Sequence, residues 1–262
     1  GVSNLLHASR PLTGTAWPTA TVFYAGTTGH GALFPAVAVG PDQRTLHVVW
    51  EDRKSVAEAA IFYISGTVAT DGSVAWGSPI SLSQGITNCV YPAIAADPTG
   101  GLHVVWGEKV EENGEERWFA RYARYDPAQG QWLSPVRISE EPMLVNQIDP
   151  AELSPRVAVR GEGRRIDVCV AWHGFPEGGE AEEVVVSCSA DGGRSWPTPR
   201  NVSRSPNVVS IVPWIAFDEV GQLHAAWEER VRLEGSHAYY EVYYARGFGH
   251  SVFLPLVLRG WP

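Results

Sequence analysis

The chain has 262 residues, and 44% of them are hydrophobic, so it can bury a full core and is not expected to be disordered. Its formal net charge of −9 argues against nucleic acid and anionic membranes as partners, and no apolar run approaches the roughly 20 residues of a membrane helix. The 27 glycines, 19 prolines and 11 tryptophans indicate many short strands and tight turns rather than helices.

Two strand-like runs come first, one at residues 4–10 and one that begins at Trp17. A unit of about 60 residues then occurs four times. The units begin near residues 34, 91, 154 and 212. Each has a proline, an apolar strand, a Gly/Asp/Pro turn and a second apolar strand that ends in tryptophan. These tryptophans are Trp50, Trp106, Trp172 and Trp227.

A third strand follows in every unit, and Trp76, Trp132 and Trp196 begin a fourth strand in the first three units. Four antiparallel strands per repeat are typical of a β-propeller blade. The sequence therefore predicts an all-β fold. We expect one β-propeller domain over residues 1–262, built from four-stranded antiparallel blades.

The number of blades depends on the strands at the two termini. We favour four blades, with the strands of residues 1–30 completing the last blade and closing the ring, because an open ring would expose a strand edge. Five blades are the alternative, with one blade assembled from both termini. In a third arrangement, the terminal strands pair with another copy and form a homo-oligomer.

Three histidines recur three residues before the strand-ending tryptophan, at His47, His103 and His224. Three histidines suggest a metal site. Equivalent positions in different blades are, however, on the order of 20 Å apart, because neighbouring strands alone are about 4.8 Å apart. We therefore expect these side chains to pack and to form hydrogen bonds, and we expect no resident metal or other cofactor.

The chain has three cysteines, and Cys169 and Cys188 lie on neighbouring apolar runs that a hairpin can place opposite each other. Either they form a cross-strand disulfide or they are two buried free thiols, and we favour the free thiols.

The turn after the third strand of the third unit has the sequence SADGGRSW. Ser189, Asp191, Gly193, Ser195 and Trp196 match the pattern Ser-x-Asp-x-Gly-x-Thr-Trp, with Ser195 in the Thr position. The chain thus resembles the sialidase-like β-propellers that carry this Asp-box, or BNR, repeat. The resemblance implies a structural turn in which the aspartate accepts backbone N–H groups and the tryptophan packs between sheets.

The resemblance does not extend to sialidase activity. The Arg-Ile-Pro element that supplies the first arginine of the sialidase triad is missing, and Arg156 follows the repeat proline in one unit only. An acidic rim would also repel an anionic sugar. We therefore do not expect a sialidase.

The segments after the second strands are residues 51–58, 107–117, 173–183 and 228–236, which we expect to be loops on one face of the propeller. They contain 15 acidic and 6 basic residues, which accounts for the whole net charge. Such a face attracts cations, Ca²⁺ among them, or a basic partner surface. Glu51, Glu108 and Glu228 are the catalytic candidates, since carboxylate pairs serve glycosidases. Tyr91 and Trp214 are the candidates for stacking on sugar rings.

Two functional hypotheses follow from these features. In the first, an extracellular or cell-surface propeller binds glycan or protein without catalysis. The alternative is a glycoside hydrolase or lyase that acts on a neutral polysaccharide through the acidic face. We favour the first because no catalytic motif is complete.

Overall fold

A computed structural model describes most of the chain as β-strands. The described residues are 3–10, 16–26, 31–55, 58–86, 88–145, 155–162, 165–175, 181–234, 237–248 and 251–257. They contain no helix, and so none with the length and apolarity that crossing a membrane requires.

The N-terminal residues form a two-stranded hairpin, and the first sheet follows it. The hairpin strands are β1 (Leu5–His7) and β2 (Thr21–Tyr24). The strands of the first sheet are β3 (Gly31–Val39), β4 (Thr45–Ser55), β5 (Glu58–Val68), β6 (Val74–Trp76) and β7 (Ile80–Ser81). The two short strands β6 and β7 pair with successive parts of β5 and together take the place of the fourth strand.

The second sheet is built in the same way, with a fourth strand broken into three pieces. Its strands are β8 (Cys89–Ala96), β9 (Leu102–Glu112), β10 (Glu115–Asp126), β11 (Gln131–Trp132), β12 (Val136–Arg137) and β13 (Leu144–Val145). All three short strands pair with β10.

The third and fourth sheets have four strands each, in the order in which the chain forms them. The third sheet contains β14 (Arg156–Glu162), β15 (Arg165–Gly174), β16 (Glu183–Ser189) and β17 (Arg200–Asn201). The fourth contains β18 (Ser210–Phe217), β19 (Gln222–Glu234), β20 (His237–Phe248) and β21 (Ser251–Val257). The fold is therefore a β-propeller of antiparallel blades with four full sheets, as the repeats predict.

Apolar side chains on the two faces of a sheet pack against different neighbours, so the core consists of separate apolar clusters. Each cluster lies between two adjacent units and is called a joint below. The first joint lies between the hairpin and the first sheet, and the others lie between successive sheets. Each strand-ending tryptophan packs toward the unit that precedes it in the chain. Trp50 packs with the hairpin, Trp106 with the first sheet, Trp172 with the second and Trp227 with the third.

The terminal strands differ from the expected arrangement. β1 and β2 pair with each other instead of joining the last sheet, and β21 supplies the fourth strand of that sheet. Phe23 and Tyr24 of the hairpin pack on the first sheet. Because β21 comes from the C-terminal end, the last sheet does not need a strand from residues 1–30.

Candidate functional site

The first strands of all four sheets line one central cavity of about 400 Å³. Tyr91 and Trp214, the two residues predicted to contact a ligand, both lie in its wall, together with Phe34 and Arg156. The rest of the described wall is apolar and consists of Pro35, Ala36, Val37, Pro92, Ala93, Ile94, Val157 and Ile215.

A repeated backbone irregularity shapes this wall. In three sheets the strand pairing skips two residues opposite the strand-ending tryptophan, and those two residues are a non-glycine residue followed by proline. The residue before the proline has a positive φ in each case, 49° at Phe34, 54° at Tyr91 and 51° at Val212. Such a φ is strained for bulky and β-branched side chains. The proline lacks an N–H, which favours a bulge at this place in the ladder.

Two side-chain pairs face each other across neighbouring strands of the cavity. The rings of Phe34 and Tyr91 are 4.4 Å apart, and the guanidinium of Arg156 lies 4.1 Å from the ring centre of Trp214. The Trp214 side chain is 60% exposed, whereas Tyr91 is only 7% exposed. Trp214 therefore offers an open aromatic surface at the cavity.

Arg156 is the charged side chain in the described wall of the cavity. Its Nε is buried and has no hydrogen-bond partner among the described residues, while Nη1 donates to the carbonyl of Pro155 at 3.3 Å. Burial lowers the pKa of this guanidinium. An arginine with unused donors at a cavity is suited to an acceptor that carries negative charge.

Glu51 lies behind the cavity wall rather than in it. Its side chain is fully buried, and it accepts hydrogen bonds from Nε of Arg53 and, at 3.3 Å, from the backbone N–H of Tyr91. Burial raises the pKa of Glu51, and the two hydrogen bonds oppose that rise. The Glu51 carboxylate therefore provides an acceptor for the Tyr91 N–H, which the bulge prevents from pairing with the adjacent strand.

The other two predicted catalytic acids also lie outside the cavity wall. Glu108 is buried and paired with the guanidinium of Arg121, and Glu228 is exposed. Glu108 lies directly across the strand pair from the buried Cys89. Burial, with the negative charges of Glu108 and Glu51, raises the pKa of Cys89 to about 12. The three acids are therefore not assembled in the described cavity wall as a carboxylate pair for hydrolysis.

Three of the four predicted acidic loops consist largely of strand residues, and residues 176–180 of the other one lie outside the described residues. β4, β9 and β19 run through much of residues 51–55, 107–112 and 228–234 as long hairpin arms. Several acids in these segments pair with arginine or lysine, as Glu112 of β9 does with Arg137 at 3.3 Å and Glu116 of β10 does with Lys109 at 2.7 Å. These pairs offset part of the negative charge that the sequence places there.

Each of the three repeated histidines forms hydrogen bonds within its own blade. His103 contacts the hydroxyl of Tyr122 at 2.7 Å and the carboxylate of Asp97 at 3.1 Å. His224 makes the same contacts with Tyr244 at 2.5 Å and Asp218 at 3.0 Å, and His47 contacts Tyr63 at 2.8 Å. In the described residues no group of histidine, cysteine or carboxylate side chains could hold a metal.

The third sheet replaces this chain with a disulfide. Cys169 occupies the place of the histidine, three residues before Trp172, and it is bonded to Cys188 on the adjacent strand. The preference for free thiols was therefore wrong. The register, which pairs the two cysteines directly across β15 and β16, decides this point.

The segment that resembles an Asp-box forms a compact turn. Asp191 accepts the backbone N–H groups of Arg194 and Ser195, both at 2.9 Å, and Gly193 N–H donates to Oγ of Ser189 at 2.8 Å. The indole of Trp196 packs edge-on against Tyr122 of the second sheet, with ring centres 4.8 Å apart. This geometry is that of a structural turn.

One buried histidine carried no recognisable signal in the sequence. His173 follows Trp172 as Glu51 follows Trp50, and it is fully buried. Burial lowers its pKa to about 4, and neither ring nitrogen has a partner among the described residues. The absence of any partner depends on the packing of two sheets, which a pattern along one strand does not encode.

Comparisons with known proteins show a shared fold. No family model matches the sequence, and no curated protein sequence matches it. Among solved structures, an α-L-arabinanase of Penicillium chrysogenum bound to arabinobiose is 12% identical with a TM-score of 0.52, and 82% of this chain covers 62% of that chain. A protein of unknown function from Dyadobacter fermentans is 14% identical with a TM-score of 0.54, with 82% and 65% covered.

A third similar structure is a PL25 ulvan lyase bound to -[GlcA(1-4)Rha3S]-, at 13% identity and a TM-score of 0.51, with 86% of this chain and 56% of that chain covered. The chain thus spans less than two thirds of the length of each of these structures. The identities are low, so the likeness establishes the propeller fold and leaves membership of the Asp-box family a prediction.

Proposed function

We propose that this protein binds a polysaccharide at its central cavity, with one sugar ring stacked on Trp214. The observation that carries the proposal is the exposed indole of Trp214 beside Arg156 in a cavity lined by all four sheets. The volume, about 400 Å³, lies in the range of roughly 300–1,000 Å³ that ligand pockets occupy. Aromatic faces bind the C–H faces of sugar rings through apolar contact, and a neighbouring charged group fixes their orientation.

The charge in the cavity favours an anionic sugar over the neutral one that the sequence suggested. Arg156 brings one positive charge, and the described wall contains no carboxylate to offset it. Guanidinium groups bind carboxylate and sulfate oxygens through paired N–H donors. A uronate or a sulfated sugar therefore fits this site better than an uncharged sugar.

Cleavage of the bound polysaccharide is the second candidate function. The similar structures include a glycoside hydrolase and a polysaccharide lyase, which supports this alternative better than it supports binding alone. Glu51 supports this candidate, because burial raises its pKa and its carboxylate accepts the N–H of the cavity residue Tyr91.

Binding is tested with two oligosaccharides, one of alternating GlcA and Rha3S and one of neutral arabinose. We expect the anionic one to bind more tightly. Trp214→Ala should weaken both by about tenfold, because the stacking surface is lost. Arg156→Met should weaken only the anionic ligand. Val220→Ala, a matched loss of an exposed apolar side chain outside the cavity, should change neither.

The same samples decide between binding and cleavage. Reducing ends report hydrolysis, and absorbance of an unsaturated sugar reports elimination. Product that disappears in Trp214→Ala would support cleavage at this cavity, and binding without product would support the binding function. Unchanged affinity of Trp214→Ala for both oligosaccharides would refute the proposed site.

A further inference from the structure

A second cavity, of about 330 Å³, lies between the second and third sheets. One side of it is formed by residues 139–142, which follow β12 of the second sheet. The other side comes from the third sheet, with Trp172 and Phe175 at the end of β15 and Asn201 on β17. It shares no described wall residue with the central cavity, so the two are separate.

Two hydrogen-bond donors of this cavity have no acceptor among the described residues. The Trp172 side chain is 3% exposed, and its indole N–H is one of them. The indole N–H groups of Trp50 and Trp106 are closed off from solvent, whereas that of Trp172 keeps accessible surface. The other donor is the NH₂ group of Asn201, whose Oδ1 accepts the backbone N–H of Arg204 at 2.9 Å. An unpartnered donor on a buried side chain is uncommon, so it indicates a ligand with acceptor oxygens.

The charge of this cavity is negative. Glu140 and Glu141 are exposed, and neither carboxylate forms an ion pair or a hydrogen bond with a described residue. The described part of the wall contains no lysine or arginine. The central cavity has the opposite charge, because its described wall contains Arg156 and no carboxylate. The second cavity therefore attracts a cation and repels an anionic sugar.

We propose that the second cavity binds an amino sugar. Its ammonium group pairs with the carboxylates of Glu140 and Glu141, and one of its hydroxyl oxygens accepts the indole N–H of Trp172. The half-buried ring of Phe175 packs against the C–H face of the sugar. An amino sugar combines the positive charge, the acceptor oxygens and the apolar face that this wall calls for, whereas a simple alkylamine lacks the oxygens. This site does not depend on the polysaccharide site at Trp214.

The β-1,4-linked disaccharides of glucosamine and of glucose are matched probes, because they differ only in their amino groups. Calorimetry on the full chain at pH 6, where the amines are protonated, should show at least tenfold tighter binding of the glucosamine disaccharide. Glu140→Gln with Glu141→Gln should remove this preference. Glu58→Gln with Glu219→Gln, an equal loss of charge at exposed acids outside the wall, should change it less than threefold. Trp214→Ala should leave it unchanged.

A further variant tests the buried donor. Trp172→Phe removes the indole N–H and keeps an aromatic ring in the joint, so it should weaken both disaccharides at least threefold while circular dichroism shows a folded protein. Equal affinities of the wild type for the two disaccharides, or no measurable binding of the glucosamine disaccharide, would overturn the proposal. The same holds for wild-type affinity in Trp172→Phe, and for binding that is lost in Trp214→Ala.

Discussion

At the scale of single residues, the carboxylate of Asp97 shows how one side chain fixes a turn and a histidine together. It accepts backbone N–H groups from Thr99 at 2.7 Å and Gly101 at 3.0 Å, and its other oxygen contacts His103. Burial alone would raise the pKa of Asp97, but the hydrogen bonds from His103, Thr99 and Gly101 outweigh it and lower the pKa well below the usual range. The ionised form is thus the stabilising one.

Asp97→Asn should lower the free energy of unfolding at pH 7 by about 2 kcal/mol, because charge-assisted hydrogen bonds are lost. A lowered folded-state pKa stabilises the protein above the unfolded pKa of about 3.9, and that contribution disappears as the pH falls toward the folded value. The difference between wild type and variant should therefore shrink below pH 4. Urea unfolding at pH 7, 4 and 2.5 measures it.

Glu219→Gln is the control, since this exposed carboxylate should change stability little at any pH. A difference between wild type and Asp97→Asn that stays constant from pH 7 to pH 2.5 would contradict the electrostatic account.

At the scale of the element, the sequence predicted the strands well and their irregularities poorly. The recurring proline and tryptophan indicated two strands and their order, because proline is confined to particular positions in sheets and tryptophan is enriched in strands. The positive φ at Phe34, Tyr91 and Val212 was not predictable, since none of these residue types favours it. In each of these sheets the bulge lies opposite the buried tryptophan of the next strand, so its geometry depends on the pairing of two strands and not on one local pattern.

The disulfide of the third sheet is a second element-scale feature, and its contribution can be measured. The two cysteines are 19 residues apart in the sequence. Their disulfide should stabilise the fold by about 3 kcal/mol, because it lowers the conformational entropy of the unfolded chain. We expect the double variant Cys169→Ala with Cys188→Ala to lose about that amount in urea unfolding. Wild type should lose a similar amount in dithiothreitol.

The double variant supplies its own control, since its stability should not respond to dithiothreitol. Cys89→Ala, which removes the buried free thiol, should leave the response of the wild-type bridge intact. Equal stability of wild type with and without reductant would show that the bridge contributes nothing.

At the scale of the whole molecule, the repeat predicted the blades but not the use of the N-terminal strands or the position of the site. The blade count depended on whether the termini pair with each other, which is a long-range choice that no local pattern decides. Tyr91 and Trp214 were chosen as aromatic side chains near one mouth of the propeller, and both lie in the wall of the central cavity, while their contact with a ligand stays a prediction. Arg156 was set aside for lack of companions, although the cavity places it on Trp214.

The separate joints between sheets imply that stability is distributed along the chain, as in other repeat architectures. Leu223 is 1% exposed in the joint between the third and fourth sheets, and Val104 is fully buried in the joint between the first and second. Leu223→Ala should cost about 2–5 kcal/mol, because a buried side chain leaves a cavity. It should lower amide-exchange protection in β19 and β20 more than in β4 and β5.

Val104→Ala is the matched change at the other joint. It should lower amide-exchange protection in β4, β5 and β9 more than in β19 and β20. The reason is that each joint buries apolar surface from two adjacent units only, so a local opening needs to break one joint rather than all of them. Hydrogen exchange followed by mass spectrometry resolves the two cases. Protection that falls equally in all four sheets for both variants would show that the propeller opens as one cooperative unit.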